Sequence, residues 1–130
     1  MSENSTQSSQ PLLAVYGTLK EGFSNYFYYL HPKKPIFSGK TLLPYKMYLK
    51  KGIPALYPAE KLHPIVIEVF TISEKTLKKI DRLEGVPYFY KRVKIFLEEI
   101  QQEVFLYVIT NKKPSGLLLE EGNFTIQAFD

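Results

Sequence analysis

The chain has 130 residues, of which 45% are hydrophobic, 15% aromatic and 23% charged, and its formal net charge is +4. This length suits one globular domain, and 10 Tyr with 9 Phe exclude a disordered or low-complexity chain, which would be poor in aromatic residues. The sequence has no cysteine, so disulfides, thiolate nucleophiles and thiolate metal sites are excluded.

The first eleven residues differ in composition from the rest of the chain. They are rich in Ser, Gln and Asn, and they lack the basic and apolar segments of a secretory signal. We expect residues 1–11 to form a disordered tail and residues 12–130 to form a single domain. No later run approaches the roughly 18 apolar residues of a membrane helix. The sequence therefore predicts a cytoplasmic protein with no membrane partner.

Short apolar runs bounded by glycine or proline predict strands in the first half of the domain. Residues 12–16 form a predicted buried strand that enters a tight loop at Gly17. Ser24 is the predicted N-cap of a short aromatic helix over residues 25–30. Three further strands are predicted over residues 36–43, 46–49 and 55–57.

The second half of the domain contains the clearest helix. Residues 65–72 read as a strand, and residues 73–83 as a helix with Ser73 as N-cap and Gly85 at its end. Two more strands, joined by a polar turn, are predicted over residues 93–97 and 103–110. Many short strands with one or two helices predict an α+β fold, in which the helices flank a small mixed β-barrel.

Glu84 is the first candidate for chemistry. At 100° per residue it falls on the same arc of the predicted helix as Leu77 and Leu83. Burial and the negative end of the helix dipole both raise the pKa of such a carboxyl, as general acid–base catalysis requires. The alternative is a frayed last turn in which Glu84 reaches water or pairs with Arg82 or Arg92.

The loop over residues 16–22, Tyr-Gly-Thr-Leu-Lys-Glu-Gly, is the second candidate. Glycine lets the backbone approach a ligand closely, and successive N–H groups can bind an anion or a developing oxyanion. The spacing from Gly17 to Gly22 matches a phosphate loop, but Phe23 and Ser24 stand where Lys-Ser/Thr is required. The alternative is an ordinary turn at the end of a strand.

Other polar residues carry weaker signals. Asn25, Tyr88 and Tyr90 can each hydrogen-bond a polar ligand, or serve as core or rim residues. The two histidines each precede a proline without a neighbouring cluster of carboxylates, so no metal site is predicted. The lysines are scattered and there are only two arginines, so the positive charge indicates a solvated surface and no nucleic-acid partner.

Four segments occur in an order and at separations that are found together in one protein family. They are Val-Tyr-Gly-Thr-Leu-Lys-Glu-Gly at 15–22 followed by Asn25, Ile-Pro-Ala-Leu at 53–56, Asp-Arg-Leu-Glu-Gly-Val-Pro-x-x-Tyr-Lys-Arg at 81–92, and Glu-Gly-Asn-Phe at 121–124. Together they resemble the γ-glutamylcyclotransferase-like family, and in particular its branch of γ-glutamylaminecyclotransferase and AIG2-like proteins. The resemblance spans residues 12–129.

This resemblance implies a compact mixed fold around a small barrel, with a substrate cavity at one end and no cofactor. The implied activity, that of an acyltransferase or lyase, is the release of 5-oxoproline and a free amine from a small γ-glutamyl amine or γ-glutamyl amino acid. Glu84 is implied as the catalytic acid–base group. The residues assigned to substrate binding are Tyr16, Gly17, Thr18, Leu19, Asn25 and Tyr90.

A second hypothesis is a noncatalytic module on the same fold, which binds a small ligand or another protein. Shared fold is weaker support for activity than for architecture. An activity screen that yields no product while a ligand still binds would favour this second hypothesis. The sequence predicts no oligomeric state.

Overall fold

A computed structural model describes residues 10–125, which form one sheet with two helices. The strands are β1 (Leu12–Val15), β2 (Phe37–Lys50), β3 (Ile53–Thr71), β4 (Lys91–Leu97), β5 (Gln102–Val108) and β6 (Leu117–Leu118), and the helices are α1 (Ser24–Tyr29) and α2 (Glu74–Glu84). Residues 1–9 of the predicted tail, and residues 126–129 of the family resemblance, lie outside the described residues. No helix within residues 10–125 is long and apolar enough to cross a membrane.

The sheet has the strand order β4-β5-β1-β3-β2-β6. Its pairs are antiparallel except β1 with β5, where Leu13 lies opposite Phe105 in a parallel pair. The strands form a half-barrel with the two helices beside it. The predicted α+β class with a mixed, barrel-like sheet is therefore confirmed. Strand β1 lies between β5 and β3, and the loop that follows it leaves from the middle of the sheet.

Apolar side chains on both faces of the sheet bury Leu13, Ala14 and Val15 of β1. Leu13 and Val15 pack in a cluster with residues of both helices, such as Tyr26 and Leu77. Ala14 points to the opposite face, into a second cluster. This alternation is the two-residue period of a strand. It explains why a short, wholly apolar run is enough to form the centre of the sheet.

The four short strands predicted over residues 36–72 are in fact two long ones. β2 and β3 pair along almost their whole length, with a register shift that leaves Leu43 opposite His63 and Tyr45 opposite Pro58. Pro44 falls at this irregularity, and a bulge tolerates a residue without an N–H group. The prolines therefore lie within these strands where they were expected to end them. The two-residue strand β6 was not predicted.

Helix α2 has the predicted N-cap and ends at Glu84, one residue later than predicted, whereas α1 begins differently. The Ser73 hydroxyl accepts a hydrogen bond from the Thr76 amide at 3.0 Å, and Gly85 caps the other end with φ of 70°. The predicted N-cap of α1 was wrong. Phe23, with φ of −95° and ψ of 167°, is the N-cap, its side chain makes no capping hydrogen bond, and Ser24 is the first helical residue.

Candidate active site

A cavity of about 300 Å³ opens where β1 ends, between the loop after β1, the β2–β3 turn and the end of α2. This volume is at the lower end of the roughly 300–1,000 Å³ found for small-molecule sites. Every residue assigned to the site from the sequence lines this cavity: Tyr16, Gly17, Thr18, Leu19, Asn25, Glu84 and Tyr90. The structure thus brings together residues from separate segments of the chain, and the roles assigned to them stay predictions.

Three successive residues of the loop after β1, Gly17, Thr18 and Leu19, line the cavity. Its shape is held by hydrogen bonds from the Lys20 amide to the Gly17 carbonyl at 3.0 Å and from the Tyr26 amide to the Thr18 carbonyl at 3.1 Å. Within residues 10–125, the amides of Gly17, Thr18 and Leu19 donate to no protein acceptor. Three neighbouring free donors suit an anion or a developing oxyanion.

Gly17 allows the loop to lie against the start of β3. A Cβ atom at this position would come within 2.9 Å of Cγ of Pro54. The Pro54 carbonyl in turn accepts a hydrogen bond from the Tyr90 hydroxyl at 2.6 Å, and the Tyr90 amide donates to the Glu84 carbonyl at 3.3 Å. Tyr90 therefore holds the start of β3 and the end of α2 at a fixed separation across the cavity.

The polar side chains of the cavity already use some of their donors within the protein. Tyr16 donates its hydroxyl proton to the Tyr107 carbonyl at 2.7 Å, and Asn25 Nδ2 donates to Thr18 Oγ1 at 2.8 Å. Burial raises the pKa of Tyr16 and of Tyr90 well above the ordinary phenol value, so both stay neutral. Their hydroxyl groups therefore act as neutral hydrogen-bonding groups that fix the walls of the cavity.

Glu84 is the last residue of α2, and burial raises its pKa to about 7. No side chain within residues 10–125 donates to or pairs with its carboxylate. Among the described residues, every fully buried side-chain oxygen has a hydrogen-bond partner. Because the carboxylate of Glu84 has none, it is not fully buried and is accessible from the cavity that it lines. An accessible carboxyl that titrates near neutrality is what an acid–base role requires.

Two alternatives from the sequence are corrected by these contacts. Arg92 binds Asp81 and not Glu84, so the proposed ion pair of Glu84 with Arg92 was wrong. Leu83 is 38% exposed, although its position on the helical wheel placed it in the core. Its side chain lines the cavity instead of packing in the core.

A hydrogen-bonded cluster that the sequence did not predict supports the last turn of α2. Asp81 accepts hydrogen bonds from Arg92 Nε at 2.8 Å, from Arg92 Nη2 at 3.1 Å and from the Tyr107 hydroxyl at 2.7 Å. The Arg92 guanidinium lies over the Phe105 ring, 4.4 Å from its centroid. These contacts tie α2 to β4 and β5 within one turn of Glu84, and thereby position it.

We expect Asp81→Asn to lower the free energy of unfolding by about 1–3 kcal/mol, because it removes the charge from two partly buried charge-assisted hydrogen bonds with Arg92. Urea denaturation measures the change. The control is Glu103→Gln, whose partner Lys94 lies 3.9 Å away in an exposed pair. That substitution should change stability by less than about 0.5 kcal/mol. Equal losses would contradict the role assigned to Asp81.

Two further carboxylates lie near the loop and do not line the cavity. Burial raises the pKa of Glu68, whose carboxylate accepts a hydrogen bond from the Glu21 amide at 2.6 Å. The Glu21 carboxylate pairs with Lys34 at 2.6 Å. Both groups serve to hold the loop. Among the described residues, Glu84 is the carboxylate that a ligand in the cavity would meet.

Comparisons with known proteins agree with this arrangement. The profile of the family described as "Gamma-glutamyl cyclotransferase, AIG2-like" matches residues 13–125. The chain is 40% identical over 115 residues to "Putative gamma-glutamylcyclotransferase MJ1514" of Methanocaldococcus jannaschii, covering 85% of this chain and 92% of that protein. It is 31% identical over 121 residues to Gamma-glutamylaminecyclotransferase B of Danio rerio, covering 82% and 63%.

A solved structure has the same fold. The uncharacterized protein PH0828 of Pyrococcus horikoshii superposes with a TM-score of 0.72 at 24% identity, covering 88% of this chain and 89% of that one. The half-barrel with its two helices is therefore an AIG2-like fold. The chain belongs to the γ-glutamyl cyclotransferase, AIG2-like family, as the resemblance of its sequence motifs indicated.

Proposed function

We propose that this protein is a cofactor-independent γ-glutamylcyclotransferase-type enzyme. It would release 5-oxoproline and a free amine from a γ-glutamyl amine or a γ-glutamyl amino acid. One observation carries the proposal: the accessible carboxylate of Glu84 and the free amides of Gly17, Thr18 and Leu19 line the same cavity. The relative from Danio rerio, whose name specifies γ-glutamylamines, supports the choice of substrate class.

The proposed reaction needs no nucleophile from the protein. Glu84 takes a proton from the substrate's α-ammonium group, and the resulting amine attacks the γ-carbonyl carbon of the same molecule. A new C–N bond closes the five-membered ring while the C–N bond to the departing amine breaks. Two protons leave the α-nitrogen and two arrive on the departing nitrogen, so the reaction balances without water or a co-reactant. Because the reaction is intramolecular, binding one reactive rotamer supplies much of the catalysis.

The loop amides stabilise negative charge in this scheme. The γ-carbonyl oxygen becomes anionic when the α-nitrogen attacks, and the substrate's α-carboxylate is anionic throughout. Either group suits the three free donors of Gly17, Thr18 and Leu19. Glu84 then returns its proton to the departing nitrogen, which a carboxyl with a pKa of about 7 can do at neutral pH.

The test is to incubate the protein with γ-glutamyl-ε-lysine, γ-glutamyl-alanine and the uncharged amide γ-glutamylbenzylamide, and to measure 5-oxoproline by mass spectrometry. We expect product from at least one compound, and none with heat-denatured protein. Ligand binding without any 5-oxoproline would overturn the proposal and support the noncatalytic module on the same fold.

The rate should depend on pH through Glu84. Only the ionised carboxylate accepts a proton, and its fraction rises as pH passes about 7, the pKa that burial gives it. We therefore expect kcat/KM to rise between about pH 6 and 8 with an apparent pKa of about 7, and then to level off. A pH–rate profile at substrate concentrations below KM measures this. A rate that is flat or falls across this range would exclude Glu84 as the base.

A further inference from the structure

The cavity has a buried floor and an exposed mouth. Val15 and Tyr16 on the floor are 3% and 6% exposed, whereas Ile53, Leu83 and Phe89 are 51%, 38% and 43% exposed. The γ-glutamyl group is the same in every substrate and must reach the loop amides and Glu84. The amine portion varies in size, so it must extend towards solvent, past the three apolar side chains of the mouth.

Phe89 presents a fixed surface at this mouth, even though its ring is exposed. Its amide donates to the Gly85 carbonyl at 2.8 Å, and its ring packs edge-to-face on Tyr90 with centroids 4.8 Å apart. The Lys112 ammonium lies 5.4 Å from the centroid of the same ring. A side chain that is already held in place loses little conformational entropy when a ligand packs against it. The mouth is thus preorganised for an apolar group.

The charges of the residues that line the cavity also favour an apolar group at the mouth. The described residues that line the cavity include no lysine or arginine, and their ionised group is the carboxylate of Glu84. A second carboxylate, carried by the amine portion, would meet no cation in this lining, and the Lys112 ammonium beside the mouth already lies over the Phe89 ring. It would also lie in the same cavity as the charge on Glu84.

We propose, on the basis of the function proposed above, that the mouth formed by Ile53, Leu83 and Phe89 selects γ-glutamyl compounds whose amine portion is uncharged and apolar, with aromatic amines preferred. The apolar surface would be buried against a preformed wall, and no charged group would lose its hydration. Phe89, which offers the largest apolar face, is the specificity-determining residue.

The experiment compares kcat/KM for γ-glutamylbenzylamide with that for γ-glutamylmethylamide. We expect the benzylamide to be favoured at least about tenfold, the lower end of what hydrophobic pockets achieve for a small apolar difference. Phe89→Ala should bring this ratio close to one, chiefly by slowing the benzylamide. The matched control is Phe96→Ala, a similarly exposed phenylalanine on β4 that does not line the cavity, and its ratio should equal that of the wild type.

A third compound tests the charge argument. γ-Glutamyl-phenylalanine carries the same ring together with a carboxylate, and it should react more slowly than the benzylamide. A faster reaction that Lys112→Ala abolishes would show that the mouth selects anions, which would overturn the proposal. Equal rates for the two amides would overturn it as well, while leaving the proposed reaction in place.

Binding measurements can test the selectivity of the mouth even if the proposed reaction does not occur. If no compound yields 5-oxoproline, calorimetric titration with the two amides still measures the preference of the mouth. A tenfold difference in Kd that Phe89→Ala removes would support the selective mouth in a protein that is not an enzyme. Equal Kd values would overturn the selective mouth along with the proposed reaction.

Discussion

Glu84→Gln should lower kcat by about 10²–10⁴-fold while the protein remains folded. Glutamine has nearly the same volume, but it cannot take the ammonium proton at neutral pH. The loop amides and the rest of the cavity are unchanged, so KM should move much less than kcat. Steady-state kinetics with the fastest γ-glutamyl substrate measures both constants.

The stability of the same variant provides an independent control. The folded state raises the pKa of Glu84 to about 7 from an ordinary value of 4.5, so the unfolded chain releases this proton first as pH rises. Wild-type stability should therefore fall between about pH 4.5 and pH 7, by an amount on the order of 2–3 kcal/mol. The glutamine side chain cannot titrate, so the Glu84→Gln variant should melt higher than the wild type above about pH 7 and not below about pH 4.5.

Glu68→Gln is the matched comparison for activity, because burial also raises the pKa of Glu68 although it does not line the cavity. It should retain activity to within about tenfold. If Glu84→Gln kept near-normal turnover and Glu68→Gln lost it, the base would be Glu68. If Glu84→Gln unfolded the protein at every pH, its carboxylate would have a structural role.

Gly122→Ala should produce the largest loss of stability, roughly 3–5 kcal/mol. Gly122 has φ of 65°, and a Cβ atom there would collide with the backbone of Pro64 and lie 2.8 Å from Cα of Ile65. The Gly122 carbonyl accepts a hydrogen bond from the Val66 amide at 2.7 Å, so a shift away from the collision would break this bond. Urea denaturation measures the loss.

The control for this substitution is Gly22→Ala. Gly22 also has a positive φ, of 93°, but nothing lies within 4 Å of a Cβ atom built there. Only the backbone strain of a left-handed alanine remains, which costs roughly 1–2 kcal/mol. Similar losses for the two variants would show that the close contact of Gly122 with β3 adds nothing to the cost of the substitution.

Local chemistry explains which elements were predictable. Helix α2 is specified by neighbouring residues, with a capping serine at one end and a glycine at the other, and it was predicted to within one residue. The long strands were not, because proline usually ends a strand and four of them occur in β2 and β3 at positions 44, 54, 58 and 64. Pro44 and Pro58 adjoin a register shift that only the assembled sheet reveals, and Pro54 and Pro64 lie in β3 outside its pairing with β1.

The candidate site likewise contains features that neighbouring residues set and features that only the assembled fold sets. Glu84 and the loop after β1 were selected because each is set by a local feature, the end of a helix and a glycine after a strand. Both line the cavity, and the roles assigned to them stay predictions. The cluster of Asp81, Arg92 and Tyr107 was missed, because it forms only when β4 and β5 pack beside α2. The exposure of Leu83 was missed for a related reason, since a helical wheel does not show where a cavity opens beside the helix.

The parallel pairing of β1 with β5 links the cavity to the order in which the chain folds. β2 and β3 are adjacent in sequence and can pair early, whereas the Tyr16 hydroxyl reaches a carbonyl 91 positions later in the chain. Loop closure over such a distance costs entropy, which only the completed sheet repays. We therefore expect the loop amides to become ordered late in folding. During synthesis on the ribosome, we expect the loop to bind a ligand only after β5 has been synthesised and has paired with β1.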